Sequence, residues 1–353
     1  MLSPHSIMTF LASRVNGMRR SRVTTLSSVV AAACRKQGLG VLALGRAMSG
    51  PTVAKHRIKR VWRFLRNERV ELTAVQAVLL HCTIPPRGPV VVLIDWTDLP
   101  PYRTLILALA RRGRAVPFLT ITVPITGSGG MLRAEAQATE LMRRVIPAGR
   151  EVIIVGDRGF GSTRWIRRLR NMGWGYVLRL GSTVNICTDP AGATPQPRRG
   201  APARCWGATT LSDYRPTATG LVSVWRPDSK EPWLLATNLK LAARKVVRLY
   251  AMRMWIELSI RDIKNRRWGL GIAEVRLSAP GRMDRLFIIA LLAYFFLSAY
   301  GVAAECRGLA AGLKANTTLN RTLSLATTGF LLIDRLKLPL DQATKLMPLV
   351  IIP

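Results

Sequence analysis

The chain has 353 residues, with 53 Lys+Arg against 19 Asp+Glu and a formal net charge of +34. At 49% hydrophobic residues it holds ample material for a core, which excludes wholesale disorder. A cationic excess of this size calls for a polyanionic partner, nucleic acid first and an anionic membrane surface second. Five scattered cysteines (Cys34, Cys82, Cys187, Cys205, Cys306) and three histidines offer neither a disulfide framework nor a zinc finger.

In chain order, residues 1–85 read as a helical, basic, DNA-binding region. Thirteen Lys or Arg precede the first acidic residue, Glu68. The run is too long for a targeting peptide, and the expected location is the bacterial cytoplasm, at the nucleoid. Thr24/Thr25 predict a cap for a helix through LSSVVAAACRKQ, stopped by Gly38 and Gly40. Short helices follow over Val41–Met48 and Val53–Leu65. The last sets Ile58, Val61, Trp62 and Leu65 on one face and turns Lys59, Arg60 and Arg63 largely to the others. This pattern suits a helix-turn-helix module, with a solvated basic cap as the alternative.

A Pro/Gly-rich boundary at 84–89 opens a different texture. Apolar runs at Val90–Trp96, Thr104–Ala110 and Ala115–Pro124 predict three strands, the last two joined at Arg111–Arg114. A helix over Glu135–Ile146, a strand at Glu151–Val155, a helix over Ser162–Met172 and a strand at Gly175–Leu180 follow. The sum is an α/β mixed sheet. Residues 181–240, rich in Pro and Gly, read as a β-rich insertion with strands at Gly220–Trp225 and Pro232–Thr237. The chain beyond Lys240 reads as helical. The uncharged stretch Phe287–Ala304 is long enough for a minimal membrane span, but a buried core helix capped by Asp284 explains it better.

Asp95 and Asp157 each follow an unbroken apolar strand, where α/β sheets present their sites. Either alone could instead form a turn. Further on, Tyr250, Arg253, Glu257 and Lys264 fall within roughly 60° on a helical wheel, a polar stripe about 21 Å long. Arg253–Glu257 alone would be an ordinary i,i+4 ion pair. That reading leaves Tyr250 and Lys264 on the same line unexplained.

Asp95, Asp157 and the Y-x2-R-x3-E-x6-K pattern resemble the DDE transposases of the bacterial insertion-sequence-four family, as do LLATNL at 234–239 and KHRIKRVWRFLRN near the start. The resemblance implies an RNase H-like catalytic domain over 86–305, the insertion lying at about 181–240. A helical DNA-binding region precedes it at 1–85 and a helical region follows at 306–353. It implies that Asp95, Asp157 and Glu257 are catalytic and hold two Mg²⁺ ions, for which Mn²⁺ could substitute. Tyr250, Arg253 and Lys264 would then grip phosphates of double-stranded DNA at transposon ends and target, the protein acting as a homodimer away from any membrane. Trp225 and Trp233 are candidates to stack on a displaced base, or equally core residues. The rival functions are a metal-dependent nuclease without strand transfer and an inactive DNA-binding derivative acting as a repressor. With no phosphate-loop motif, nucleotide hydrolysis is not expected.

Overall fold

The apolar runs become strands and the amphipathic ones helices. The computed structural model describes residues 2–347 apart from 36–37, 112, 127, 183, 189–194, 213–214, 268, 314, 316 and 318–321. Five helices come first: α1 (Pro4–Ala12), α2 (Arg20–Arg35), α3 (Val41–Ala47), α4 (Ala54–Arg66) and α5 (Leu72–Thr83). Strands β1 (Val90–Leu99), β2 (Tyr102–Arg111) and β3 (Arg114–Pro124) lead to helix α6 (Ser128–Val145) and strand β4 (Val152–Gly156). Helix α7 (Thr163–Asn171), then β5 (Gly175–Arg179), β6 (Asn185–Thr188), β7 (Arg204–Ser212), β8 (Thr217–Val224) and β9 (Trp233–Thr237) follow. Helices α8 (Ala243–Ala251), α9 (Arg253–Lys264), α10 (Pro280–Cys306), α11 (Leu325–Leu336) and α12 (Leu340–Lys345) complete the described chain. The predicted end of α2 at Lys36 and Gln37, and Arg112 of the β2–β3 turn, lie outside the described residues.

Contacts gather the chain into two compact units that interleave in sequence. One comprises Met1–Pro86, Trp96–Ala148 and Leu258–Pro353; the other comprises Arg87–Asp95 and Gly149–Glu257. The expected segments 1–85, 86–305 and 306–353 are divisions of composition, whereas these units follow packing.

In the first unit α10 is the central element, packed against α11, β3 and α2. Its length and apolarity would suffice to cross a membrane, but the apolar window is wholly buried within the fold, as a core helix requires. Helix α2 starts four residues before the expected caps, so Thr24 and Thr25 turn back onto the carbonyls of Arg20 and Ser21. Helices α3 and α4 pack closely: a Cβ at Gly45 would meet the Ile58 side chain and backbone. Val61, Phe64 and Leu65 bury the inner face of α4, while Lys59, Arg60 and Arg63 stay exposed.

Asp284 is not the cap of α10. The helix starts at Pro280, whose fixed φ suits a first turn, with Ala279 as its cap residue. Asp284 lies inside the helix and accepts a hydrogen bond from the backbone N–H of Thr122 (2.8 Å). Burial pushes its carboxyl up to about 7, against the pull of the Thr122 hydrogen bonds and Arg285. The unfolded chain releases this proton near the usual aspartate value, the folded chain only near neutrality. Stability is therefore fully present at low pH and falls as pH rises from about 4 through about 7. Asp284→Asn keeps the acceptor without the charge. It should stabilise the protein by roughly 2–4 kcal/mol at pH 8 and by almost nothing near pH 4, as urea titrations at the two pH values will show.

The second unit carries a mixed sheet in the order β1-β4-β5-β9-β8-β7-β6. β1, β4 and β5 run parallel, and each later neighbour is antiparallel. The parallel strands are apolar without alternation because both faces are covered, with α7 and α8 packed on β5. The insertion does not stand apart: β9 pairs with β5, Val177 opposite Thr237, and so extends the sheet.

Candidate active site

Strand register assembles the first two acidic residues. Ile94 of β1 lies opposite Gly156 of β4, so the next residues, Asp95 and Asp157, leave adjacent parallel strands at the same level. Neighbouring strands are about 4.8 Å apart. On the other side of β4, Gly156 lies opposite Leu178 of β5, and the next residue there is Arg179. Two carboxylates and a guanidinium thus leave three neighbouring strands at the level where the parallel pairing of β1 with β4 and of β4 with β5 stops, near where open α/β sheets place their ligands. β4 and β5 end there, whereas β1 does not end at Asp95, as its apolar run suggested, but continues to Leu99.

The segment after Asp157 explains its glycines. Asp157 caps a single 3₁₀ turn over Arg158–Phe160, accepting from the Gly159 N–H (2.9 Å). A Cβ at Gly161 would run into the backbone carbonyl of Arg179, so this position admits only glycine. The turn-forming role that sequence left open for Asp157 is therefore real. It occupies one carboxylate oxygen and leaves the acid at the strand end.

Tyr250, Arg253 and Glu257 come from two helices, not the one continuous helix that was expected. α8 stops at Ala251, and around Met252 the bonds tighten to i→i+3: Met252 N to Leu249 O (3.2 Å) and Trp255 N to Met252 O (2.8 Å). The stripe survives this break only in part. Arg253 and Glu257 are ion-paired at 2.5 Å. Burial works against the charge of Arg253, but Tyr250, Glu257, Asp95 and Asp157 together hold its guanidinium above its ordinary value. All three carboxylates therefore act on one cation. Burial pushes the Tyr250 phenol up, opposed by Arg253 and Arg179. The Tyr250 ring meets Trp233 edge-on, 4.8 Å between centroids.

A cavity of about 660 Å³ opens beside this group. Its lining includes Arg158, Arg179, Arg226, Lys230, Trp233, Tyr250, Arg253 and Glu257. Trp233 is half-buried there, beneath the Arg226 guanidinium (5.2 Å). Trp225 instead donates from Nε1 to the Ser229 carbonyl (3.2 Å), fastening the loop between β8 and β9.

The remaining predicted residues belong to the other unit. Lys264 donates from Nζ to Thr97 Oγ1 (3.1 Å) and to the Asp98 carbonyl (2.9 Å). Asp98 is held bidentately by Arg103 (2.6 and 3.1 Å) and is no member of the acidic group. Lys59, Arg60 and Arg63 line the exposed face of α4, beside Trp62, over which Arg282 lies (5.3 Å).

Arg158, Arg179 and Glu231 are missed by sequence reasoning. Arg179 carried a usable signal, since it closes the apolar run of β5 much as Asp95 and Asp157 close the apolar runs Val90–Ile94 and Val152–Gly156. Glu231 carried none; its contacts with Arg158 and Arg179 exist only once β9 pairs with β5.

Among the described residues no three His, Cys, Asp or Glu side chains stand close enough together to hold a metal ion. By donor chemistry, the carboxylates of Asp95, Asp157 and Glu257 fit a hard divalent cation. The positive charge they share in this structure is that of Arg253.

A mixed α/β sheet that sets carboxylates among arginines is chemically suited to an anionic, phosphate-bearing ligand. A family model described as "Transposase DDE domain" matches residues 86–296, more than half of the chain. The protein belongs to the DDE transposases. No curated protein matches it. Among solved structures it is similar to the piggyBac transposase synaptic complex with hairpin DNA, at 12% identity over 99% of this chain and 83% of that one. The TM-score is 0.42, and at that level nothing about this chain follows from the likeness.

Proposed function

We propose that the protein binds the ends of a mobile element, cuts the DNA there and joins the freed 3′ ends to target DNA. The carrying observation is the register that sets Asp95 beside Asp157, with Glu257 linked to both through Arg253. We place the chain in the bacterial insertion-sequence-four group, on its Tyr250, Arg253, Glu257 and Lys264 pattern. An RNase H-like core is supported by the element order β1-β2-β3-α6-β4-α7-β5.

Asp95, Asp157 and Glu257 would hold two divalent cations, Mg²⁺ or Mn²⁺, which supply activation of the attacking hydroxyl and charge stabilisation of the leaving oxygen. The chain's own residues do the rest. Arg253 can turn its guanidinium from Glu257 to a phosphate, a bidentate contact for which its planar fork is suited. Tyr250, buried against Trp233, would help hold that guanidinium charged. Lys264 anchors the far end of α9 to Thr97 and Asp98, and its remaining donor capacity is available to a DNA phosphate. Trp233 offers a ring to a base displaced into the cavity. Trp225, tied to its own loop, is a weaker candidate. Two protomers would bridge two transposon ends, in the cytoplasm at the nucleoid.

The basic face of α4 is the reading's end-binding surface. Lys59→Glu with Arg63→Glu should weaken binding of a terminal-repeat duplex and flatten its salt dependence, each lost phosphate contact removing about 0.9 of slope in log–log units. A gel-shift titration with unchanged affinity and slope would take α4 off the DNA.

Cleavage of labelled DNA carrying the element's own terminal repeats, with Mg²⁺ or with EDTA, tests the function as a whole. Metal-dependent cuts at the repeat boundary support it. Metal-dependent cuts without any joined product point to the nuclease, and binding with no cleavage at all points to the repressor.

A further inference from the structure

Glu231 stands on the loop between β8 and β9, and the same carboxylate oxygen, Oε2, contacts both Arg158 and Arg179 (3.2 Å to the latter). Arg179 is further fixed by donating to the Pro232 carbonyl (3.1 Å). One oxygen between two guanidiniums is the arrangement a phosphate oxygen adopts in an arginine cleft. The neighbouring arginine of the loop is likewise matched, Arg226 to Asp228 through two hydrogen bonds (2.9 and 2.7 Å). Arg158, Arg179, Arg226, Lys230 and Arg253 line the cavity against Asp228, Glu231 and Glu257, so cations outnumber anions on its wall. Glu231 itself is more than half exposed (55%), so its side chain can rotate away into solvent while the loop stays held by Trp225 and by the Arg179–Pro232 hydrogen bond.

We propose that Arg158 and Arg179 form a phosphate subsite and that Glu231 is its built-in surrogate, filling the subsite until a DNA phosphate displaces it. This deepens the function proposed above, since the phosphate is taken to be that of bound DNA. The contact keeps two guanidiniums preorganised, one of them mostly buried, without leaving them unpaired. It also sets a threshold: only an anion that outcompetes a tethered carboxylate opens the subsite. A doubly hydrogen-bonded phosphodiester offers two acceptor oxygens where Glu231 presents one, which favours exchange.

The test measures binding without chemistry, by fluorescence anisotropy of a random-sequence duplex in EDTA. Glu231→Gln should bind about three- to tenfold tighter than the wild type, the gain expected when a partly exposed competing ion pair is removed. Arg179→Gln alone should weaken binding, and in the double variant the gain from Glu231→Gln should vanish. Asp341→Asn, which removes a carboxylate paired with Lys345, controls for net charge and should give little change. Unchanged affinity in Glu231→Gln, an equal gain in Asp341→Asn, or a gain that persists without Arg179 overturns the proposal. Since no metal or cleavage is involved, the predicted binding pattern in a protein that never cuts DNA would uphold the subsite and remove the transposase reading.

Discussion

Asp95→Asn, Asp157→Asn and Glu257→Gln should each reduce metal-dependent cleavage of a transposon end on the order of 10³-fold or more, while binding of that end survives. The size follows from what each substitution removes. The amide keeps the shape of the side chain but loses the anionic oxygen that a hard cation requires. The losses should not add, because the three groups act as one: a double variant should fall little below either single one. Folding is not the route of the effect. Arg253 already compensates these charges, so neutralising one half-exposed carboxylate is expected to shift stability by less than about 1 kcal/mol. If Arg253–Glu257 were only an ion pair of the helix surface, Glu257→Gln would cleave at nearly the wild-type rate. Cleavage by each variant, measured beside its melting curve, separates the two.

A second large effect concerns the core. Helices α10 and α11 cross in backbone contact: a Cβ at Gly301 would strike the Leu325 carbonyl, and one at Gly329 the Leu297 carbonyl. A methyl group at either point has only main chain to push against, and main chain inside two packed helices cannot yield locally. Helix propensity alone would favour alanine at both positions by about 1 kcal/mol. The clash should reverse that sign, so that Gly301→Ala or Gly329→Ala destabilises by roughly 3–5 kcal/mol. Denaturant midpoints are the readout. A midpoint equal to or above that of the wild type would place the helices farther apart than described.

How much of this was legible beforehand depended on whether the determining contacts were local. The strands around Asp95 and Asp157 were readable because fully buried parallel strands are uninterrupted apolar runs. The i,i+4 pair Arg253–Glu257 was readable from helical geometry. Helix α1 was not anticipated, although its signals are present: Ser3 accepts from the Ser6 N–H, and Pro4 opens the first turn. The break at Met252 left no mark, since neither Gly nor Pro stands there; packing of Tyr250 against Trp233 and pairing of Arg253 with Glu257 occupy the two sides of the break. The Arg158–Glu231–Arg179 cluster was invisible for a different reason. Its members are brought together by the pairing of β5 with β9 across the whole insertion, and no local period encodes such a contact. The partners of Lys264, Thr97 and Asp98, were hidden in the same way.

The most direct measurement starts after the first cut. Pre-cleaved transposon ends with exposed 3′-hydroxyls are incubated with the protein, a supercoiled plasmid and Mg²⁺, and the junctions are sequenced. Strand transfer predicts plasmid joined covalently to the 3′ end of the element, present with the wild type and lost with Glu257→Gln. Plasmid that is nicked or degraded with no such junction, under conditions where the ends are bound, would contradict it.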